Sequence, residues 1–70
     1  MNNQNVLTLS RSMKEALAFV ATEDLAEKKK LKRPRSKTFE ALEKRGMIFQ
    51  GSTDYDRSLT EKGRRAFEAI

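Results

Sequence analysis

Cysteine and histidine are both absent from this chain of 70 residues. Without them the chain can form no disulfide and lacks the usual ligands of a structural zinc site. The same absence removes the side chains that most often act as nucleophile or general base, so we expect the protein not to be an enzyme. A glycine-rich phosphate loop is missing as well. We therefore predict no catalytic residue, no metal, no cofactor and no small-molecule substrate.

Long hydrophobic runs are also missing. No segment approaches the roughly 18 consecutive apolar residues of a membrane span. The first residues, MNNQN, are polar and lack the cationic and apolar regions of a secretory signal peptide. We expect a soluble cytoplasmic protein that contacts no membrane, with residues 1–6 as a flexible N-terminus and residues 7–70 as a single domain.

Positive charge is what the chain has in excess. Fifteen Lys and Arg face ten Asp and Glu, which gives a formal net charge of +5. Seven of the basic residues lie in residues 28–37, KKKLKRPRSK, a block without any acid. Because clustered cations attract a polyanion, this distribution suggests a nucleic-acid partner. A solvated basic loop and the binding of an acidic protein surface are alternatives that composition leaves open.

Two helical segments are predicted before the basic block ends. Apolar residues recur at helical spacing over about residues 11–21. Either Ser10 or Ser12 can cap this helix, and Ser12 has Glu15 at the capping-box spacing. Residues 22–30 carry acid in the first turn and base in the last, which predicts a second helix or a continuation of the first. Three residues are available to anchor it: Leu25, Ala26 and Leu31.

Pro34 and Gly46 delimit a third predicted helix over about residues 34–45. Proline suits the first turn of a helix because it lacks an N–H and fixes φ. Glycine after two basic residues is typical of a helix C-terminus, where cations meet the negative end of the dipole. Phe39 and Leu42 are expected to form the buried edge of this helix.

A β-hairpin and a final helix are predicted to follow. Residues 47–50 and 55–59 read as short strands around a turn rich in Gly, Ser, Thr and Asp. Thr60 is placed to cap a helix that runs to about residue 69. Gly63 weakens that helix by roughly 1 kcal/mol relative to alanine unless close packing requires it.

The expected core draws on several elements, and its principal members are Phe39, Leu42, Met47, Leu59 and Phe67. Strand alternation places one of Ile48 and Phe49 inside and the other at the surface. An exposed apolar side chain there is a possible contact for a partner protein.

The C-terminal half resembles winged helix-turn-helix proteins of bacteria and phages. Residues 39–48, FEALEKRGMI, are similar to the end of a recognition helix entering a wing. Residues 59–67, LTEKGRRAF, are similar to the LT-x-x-G-x-x-A run that follows the wing in MarR-like and PadR-like regulators. The resemblance extends over about residues 7–70 and implies an α+β fold with three helices, a two-stranded β-wing and a closing C-terminal helix. Lys29 and Lys30 depart from it, because the usual turn has an apolar residue and a glycine there.

The resemblance also implies sequence-specific binding of double-stranded DNA by a small transcriptional regulator of bacterial, phage or plasmid origin. The helix over about residues 34–45 would enter the major groove, and the protein would associate with the nucleoid. Its first turn supplies the expected base contacts: Arg35, Ser36, Lys37 and Thr38. The expected phosphate contacts are Lys28, Lys29, Lys30, Lys32, Arg33 and Lys44. The expected wing contacts are Ser52, Thr53, Tyr55 and Arg57.

Asp54 and Asp56 lie in the same wing turn and would be repelled by phosphate. Together with Phe49 they favour an alternative function, a winged-helix adaptor that docks on another protein, such as a phage product that modulates a host enzyme. Binding of nucleic acid by charge alone is a third hypothesis. A single module buries only roughly 600–1,000 Å² on DNA, so a homodimer or a partner protein is a further expectation.

Overall fold

The structure of the protein is a computed structural model that describes residues 9–69. Those residues form four helices and one two-stranded antiparallel sheet. In chain order the elements are α1 (Arg11–Ala21), α2 (Leu25–Lys30), α3 (Ser36–Lys44), β1 (Ile48–Phe49), β2 (Ser58–Leu59) and α4 (Glu61–Glu68). The predicted α+β class is confirmed. The flexible terminus predicted over residues 1–6 lies outside the described residues.

Side-chain caps set the starts of three helices. Ser10 caps α1, its hydroxyl accepting a hydrogen bond at 3.1 Å from the amide three residues on, so the alternative cap at Ser12 is wrong. Asp24 caps α2 at 3.0 Å, which makes α2 a separate helix that begins later than predicted. Thr60 caps α4 as predicted, at 3.0 Å. Each cap satisfies an amide that has no partner inside its helix.

Gly46 ends the run of α3 with a φ of +72°, the left-handed conformation predicted for it. The chain then enters β1, which pairs with β2 so that Ile48 lies opposite Leu59. Ile48 is buried and Phe49 is 57% exposed, so Ile48 is the residue on the inner side of the strand and Phe49 is the one at the surface. Each strand is only two residues long, shorter than predicted, because residues 50–57 leave the ladder and turn towards the helices.

The hydrophobic core lies where α1 packs against α3, α4 and the strands. Ten apolar side chains in the described part of the chain are buried: Leu9, Ala16, Leu17, Phe19, Val20, Phe39, Leu42, Met47, Ile48 and Ala66. Leu59 packs against this core while partly buried. The prediction that Phe67 belongs to the core is wrong, because α4 turns Gly63 and Ala66 inwards and leaves Phe67 36% exposed.

Gly63 is a point of close contact between α4 and Met47, the residue that precedes β1. A Cβ at this position would lie 1.8 Å from the carbonyl oxygen of Met47. That carbonyl also accepts a hydrogen bond at 3.0 Å from the amide of Thr60. The close packing that would justify a glycine inside a helix is therefore present.

The anchors predicted for α2 are wrong. Leu25 and Leu31 are 50% and 46% exposed, and Ala26 is exposed as well. The buried residue of α2 is instead Lys28, which is 5% exposed. A cation therefore attaches this helix to the rest of the molecule.

Candidate nucleic-acid interface

The segment between α2 and α3 lies along an open groove of about 400 Å³. Its backbone is extended at Leu31 and at Arg35, the residue that precedes α3. Pro34 keeps a helix from running through the segment, because its ring disfavours helical geometry in the preceding residue, Arg33. The groove is lined by Ser12 and Glu15 from α1 and by Lys32, Arg33, Pro34, Arg35, Lys37 and Thr38.

Three exposed cations at this groove carry unneutralised charge. Lys32, Arg35 and Lys37 form no ion pair with any carboxylate that the structure describes. The acid at the rim, Glu15, is already paired with Arg11 at 3.4 Å. Because charges of one sign converge on one opening, the groove has the electrostatics of an anion site.

The amides at the start of α3 add to this field. Arg35 occupies the position of the cap but makes no capping hydrogen bond with its side chain. The first amides of α3 are therefore left without a side-chain acceptor. Such amides, at the positive end of the helix dipole, are suited to phosphate oxygens.

The solvent face of α3 differs from the set of base contacts predicted from sequence. Ser36 and Lys37 are exposed, as a base contact requires, and so is Arg35. Thr38 is half-buried and lines the groove towards α1. Farther along the helix the exposed positions are Glu40 and Lys44.

The other predicted phosphate contacts lie in different surroundings. Lys29 is exposed, with its Nζ 5.8 Å from the centroid of the Tyr55 ring. Lys30 is paired with Glu27 at 3.5 Å, where both side chains are solvated and the pair contributes little. Lys44 is exposed at the C-terminal end of α3, roughly 12 Å along the axis from Ser36.

Lys28 does not reach the surface, contrary to the prediction that it contacts phosphate. Its Nζ donates a hydrogen bond at 3.2 Å to the carbonyl oxygen of Tyr55. The same atom lies 5.7 Å from the centroid of the Phe19 ring, a cation–π distance. A buried ammonium needs such partners to offset its desolvation. Lys28 is therefore a structural cation, which attaches α2 to the hairpin loop and the core.

The hairpin loop, residues 50–57, is held against the helices rather than extended into solvent. Arg57 donates a hydrogen bond to the carboxylate of Glu43 on α3, and its guanidinium lies 4.3 Å from the centroid of the Phe39 ring. Its side chain is only 15% exposed, so it is not available for the predicted wing contact.

Asp54 connects this loop to the basic segment. One of its oxygens lies 3.3 Å from Nε of Arg33, and the other lies 3.6 Å from Nε of Arg57. Tyr55 is half-buried, with its ring centroid 5.8 Å from that of Phe19. Of the predicted wing contacts, only Ser52 and Thr53 are exposed.

Glu43 is the carboxylate on which the loop contact depends. The hydrogen bond from Arg57 lowers its pKa below the usual 4.5, and a second hydrogen bond at 3.1 Å from the amide of Gln50 acts in the same direction. Burial opposes both effects. The carboxylate is ionised at neutral pH in any case, so the lowered pKa extends its ionised, paired state to more acidic pH.

Several of these roles were missed by the sequence pattern. The sequence pattern does not single out Glu43, because no local signal pairs it with Arg57, which is 14 positions away. Ser12 and Glu15 reach the groove only because α1 folds against α3. Glu40 could have been found from sequence, since it follows Ser36 by one helical turn.

In comparisons with known proteins, no family model, no curated protein and no solved structure matches the chain. Within residues 9–69, no three acidic side chains are grouped so that they could hold a metal ion. Over the same residues no helix has the length and apolar character needed to cross a bilayer. The class that fold and site define is a small α+β protein with a basic groove at the start of a helix.

Proposed function

We propose that this protein binds double-stranded DNA sequence-specifically, as a small transcriptional regulator of bacterial, phage or plasmid origin. In this proposal the fold acts as a winged helix, with α3 in the major groove and the hairpin behind it. One observation carries the proposal: Lys32, Arg35 and Lys37 surround the open groove at the start of α3 without a described acidic partner. The order of helices and hairpin supports it as well.

The exposed residues divide into two kinds of contact. Arg35 has the fork of donors that pairs with the O6 and N7 atoms of guanine, and the Ser36 hydroxyl serves several bases. Phosphates are contacted by exposed basic side chains, which fix the orientation of the protein without reading sequence: Lys29, Lys30, Lys32, Arg33 and Lys37. Lys44 contacts phosphate only where the duplex extends to the far end of α3. Lys28 and Arg57 contribute through the structure alone.

The hairpin has a smaller role in this proposal than a projecting wing would have. Its loop is tied to α3 through Arg57 and to the basic segment through Asp54. Ser52 and Thr53 remain exposed and offer hydroxyls to a phosphate. The loop therefore serves mainly to hold α3 and the segment before it in position.

The proposal is tested by electrophoretic mobility shift over a series of salt concentrations, with duplexes selected from a randomised pool and with unselected duplexes. We expect selected duplexes to bind far more tightly than random ones. If about five phosphates are neutralised, log K should fall with log salt at a slope of roughly −4 to −5. Arg35→Ala should lose the preference for the selected duplex. Arg64→Ala is the matched control, because Arg64 is exposed on α4, away from the groove.

Two outcomes would count against sequence-specific binding. Equal, weak binding to every duplex would mean binding by charge alone. No binding at about 0.1 M salt would remove nucleic acid as the partner, because about five phosphate contacts give measurable affinity there.

A protein partner is the second candidate function. It is favoured by Phe49, an aromatic side chain 57% exposed at the base of the hairpin, and by the acids of the adjacent loop. Large aromatic side chains are enriched at protein interfaces. If a protein is the partner, Phe49→Ser should abolish binding of that partner and leave binding of duplexes unchanged. If DNA is the ligand, Arg35→Ala should weaken binding of duplexes and leave binding of a protein partner unchanged.

A further inference from the structure

The exposed face of α3 contains one acid among its polar residues. Successive residues of an α-helix are about 100° apart, so Ser36, Glu40, Lys44 and Lys37 fall within an arc of about 100°. All four are exposed, and Phe39 and Leu42 on the other side of the helix are buried. Glu40 lies inside this arc rather than at its edge. Any duplex that α3 contacts through this face must therefore meet Glu40.

Glu40 also has no described partner that neutralises it. Lys37 and Lys44 lie at i−3 and i+4, the spacings at which helical ion pairs form, yet neither pairs with Glu40 in the described structure. The other acid in the second half of α3, Glu43, is occupied by Arg57 and Gln50. Glu40 is thus left with both carboxylate oxygens available as acceptors.

We propose that Glu40 is a specificity-determining residue whose carboxylate accepts a hydrogen bond from the N4 amine of a cytosine in the major groove. This inference rests on the proposed function and deepens it. An ionised carboxylate can only accept hydrogen bonds, so it is repelled by the O6 and N7 atoms of guanine and by O4 of thymine. Adenine offers an N6 amine, but its N7 acceptor lies beside it. Cytosine presents a donor without that neighbour.

The position of Glu40 on the helix predicts where this cytosine lies. Glu40 follows Ser36 by four residues, roughly 6 Å along the axis of α3. Base pairs of a duplex are spaced by about 3.4 Å. With α3 lying along the groove, nearly parallel to the duplex axis, the cytosine should therefore lie about two base pairs from the base read by Arg35 and Ser36.

The test is selection of duplexes from a randomised pool by the wild-type protein, Glu40→Gln and Glu40→Ala, followed by affinity measurements. The wild type should enrich cytosine at one position and bind it about tenfold better than guanine or thymine there. Glu40→Gln should change that preference to adenine, because an amide pairs with both N6 and N7 of adenine. Glu40→Ala should show no preference at that position. Both variants should bind random duplexes severalfold more tightly, since a charge facing the phosphates is removed.

Glu68→Gln is the matched control, an equal change of charge at an exposed acid at the end of α4. It should select the same sequence as the wild type. If Glu40→Gln and Glu40→Ala also select that same sequence, the role of Glu40 is overturned and the proposed function stands. If the wild-type protein enriches no sequence at all, the proposed function fails and this inference fails with it.

Discussion

Lys28 and Lys32 are four positions apart in one basic block, but their surroundings are opposite. Lys28 is 5% exposed and bonded to the Tyr55 carbonyl, whereas Lys32 is exposed at the rim of the groove. Only the second can release counterions from a phosphate. Lys32→Met should therefore reduce the magnitude of the salt slope for binding of duplexes by about 0.9. Lys28→Met should leave that slope unchanged.

The two lysines should also differ in their effect on stability, where Lys28 is expected to matter and Lys32 is not. Lys28→Met keeps the length of the side chain but leaves the Tyr55 carbonyl without its donor, which should destabilise the protein by about 1 kcal/mol in urea unfolding. The side chain of Lys32 is exposed and makes no described hydrogen bond or ion pair. The free energy of unfolding of Lys32→Met should therefore differ from that of the wild type by less than about 0.5 kcal/mol. An altered salt slope in Lys28→Met would show that its ammonium reaches DNA.

Gly63 provides a second prediction for a single residue. By helix propensity alone, Gly63→Ala should stabilise α4 by roughly 1 kcal/mol. The new Cβ would however lie 1.8 Å from the backbone oxygen of Met47, and a backbone atom cannot move away as a side chain can. Separating α4 from the strands should cost more than about 3 kcal/mol, measured as a shift in the midpoint of urea unfolding.

Lys62→Ala is the control for Gly63→Ala. It also introduces an alanine into α4, but at a neighbouring position that is exposed. It should alter stability by less than about 0.5 kcal/mol. A higher melting temperature in Gly63→Ala would contradict the close approach of α4 to the end of β1.

Among the elements, those with local signals were predicted well. The helix stop at Gly46, the cap at Thr60 and the apolar spacing of α1 each depend on residues that are only a few positions apart in the sequence. A sequence pattern therefore contains the information needed to predict them. The placement of α2 and of the hairpin loop depends instead on contacts across 27 and 14 positions, from Lys28 and from Arg57. No local pattern distinguishes a lysine that folds inwards from its exposed neighbours, so the sequence alone predicts Lys28 to be a phosphate contact like the other lysines of the basic block.

The contact between α3 and the hairpin loop should depend on pH. The pKa of Glu43 is lowered in the folded protein because Arg57 hydrogen-bonds its carboxylate. A lowered folded pKa means that the contribution of Glu43 to stability is complete above its unfolded pKa of about 4.5 and is lost as pH falls through the folded value. Glu43→Gln should therefore be less stable than the wild type at pH 7, and the difference should shrink below about pH 4.

The measurement is urea unfolding of both proteins from pH 7 down to pH 3. Glu68→Gln is the control, because Glu68 is exposed and forms no ion pair within the described residues. It should remain close to the wild type at every pH. A difference between Glu43→Gln and the wild type that stays constant down to pH 3 would mean that the Arg57 contact does not involve the ionised carboxylate.

For the molecule as a whole, size and charge act together. The Cα radius of gyration is 11.3 Å, close to the roughly 11 Å of a compact chain of this length. The longest dimension is 38 Å, about one helical turn of DNA. If the protein binds DNA as proposed, a single copy with its long axis along the duplex would span about one turn, and a longer site would require a second copy. With a net charge of +5 on so small a body, exposed cations repel one another wherever no anion is bound.

This repulsion allows the groove to be tested before any DNA site is known. An anion that binds the folded protein alone stabilises it by mass action, so sulfate at about 50 mM with a dissociation constant of about 10 mM would add about 1 kcal/mol. For a domain of this size that corresponds to an increase of about 4–8 °C in Tm.

The double variant Lys32→Met/Lys37→Met should lose most of this increase in Tm. It should keep only the general stabilisation that sulfate gives by exclusion from protein surfaces. Lys62→Met/Arg64→Met removes the same charge from α4 and should respond to sulfate as the wild type does. Equal increases in all three proteins would show that the cations at the start of α3 do not act together as an anion site, and the electrostatic basis of the proposed function would be lost.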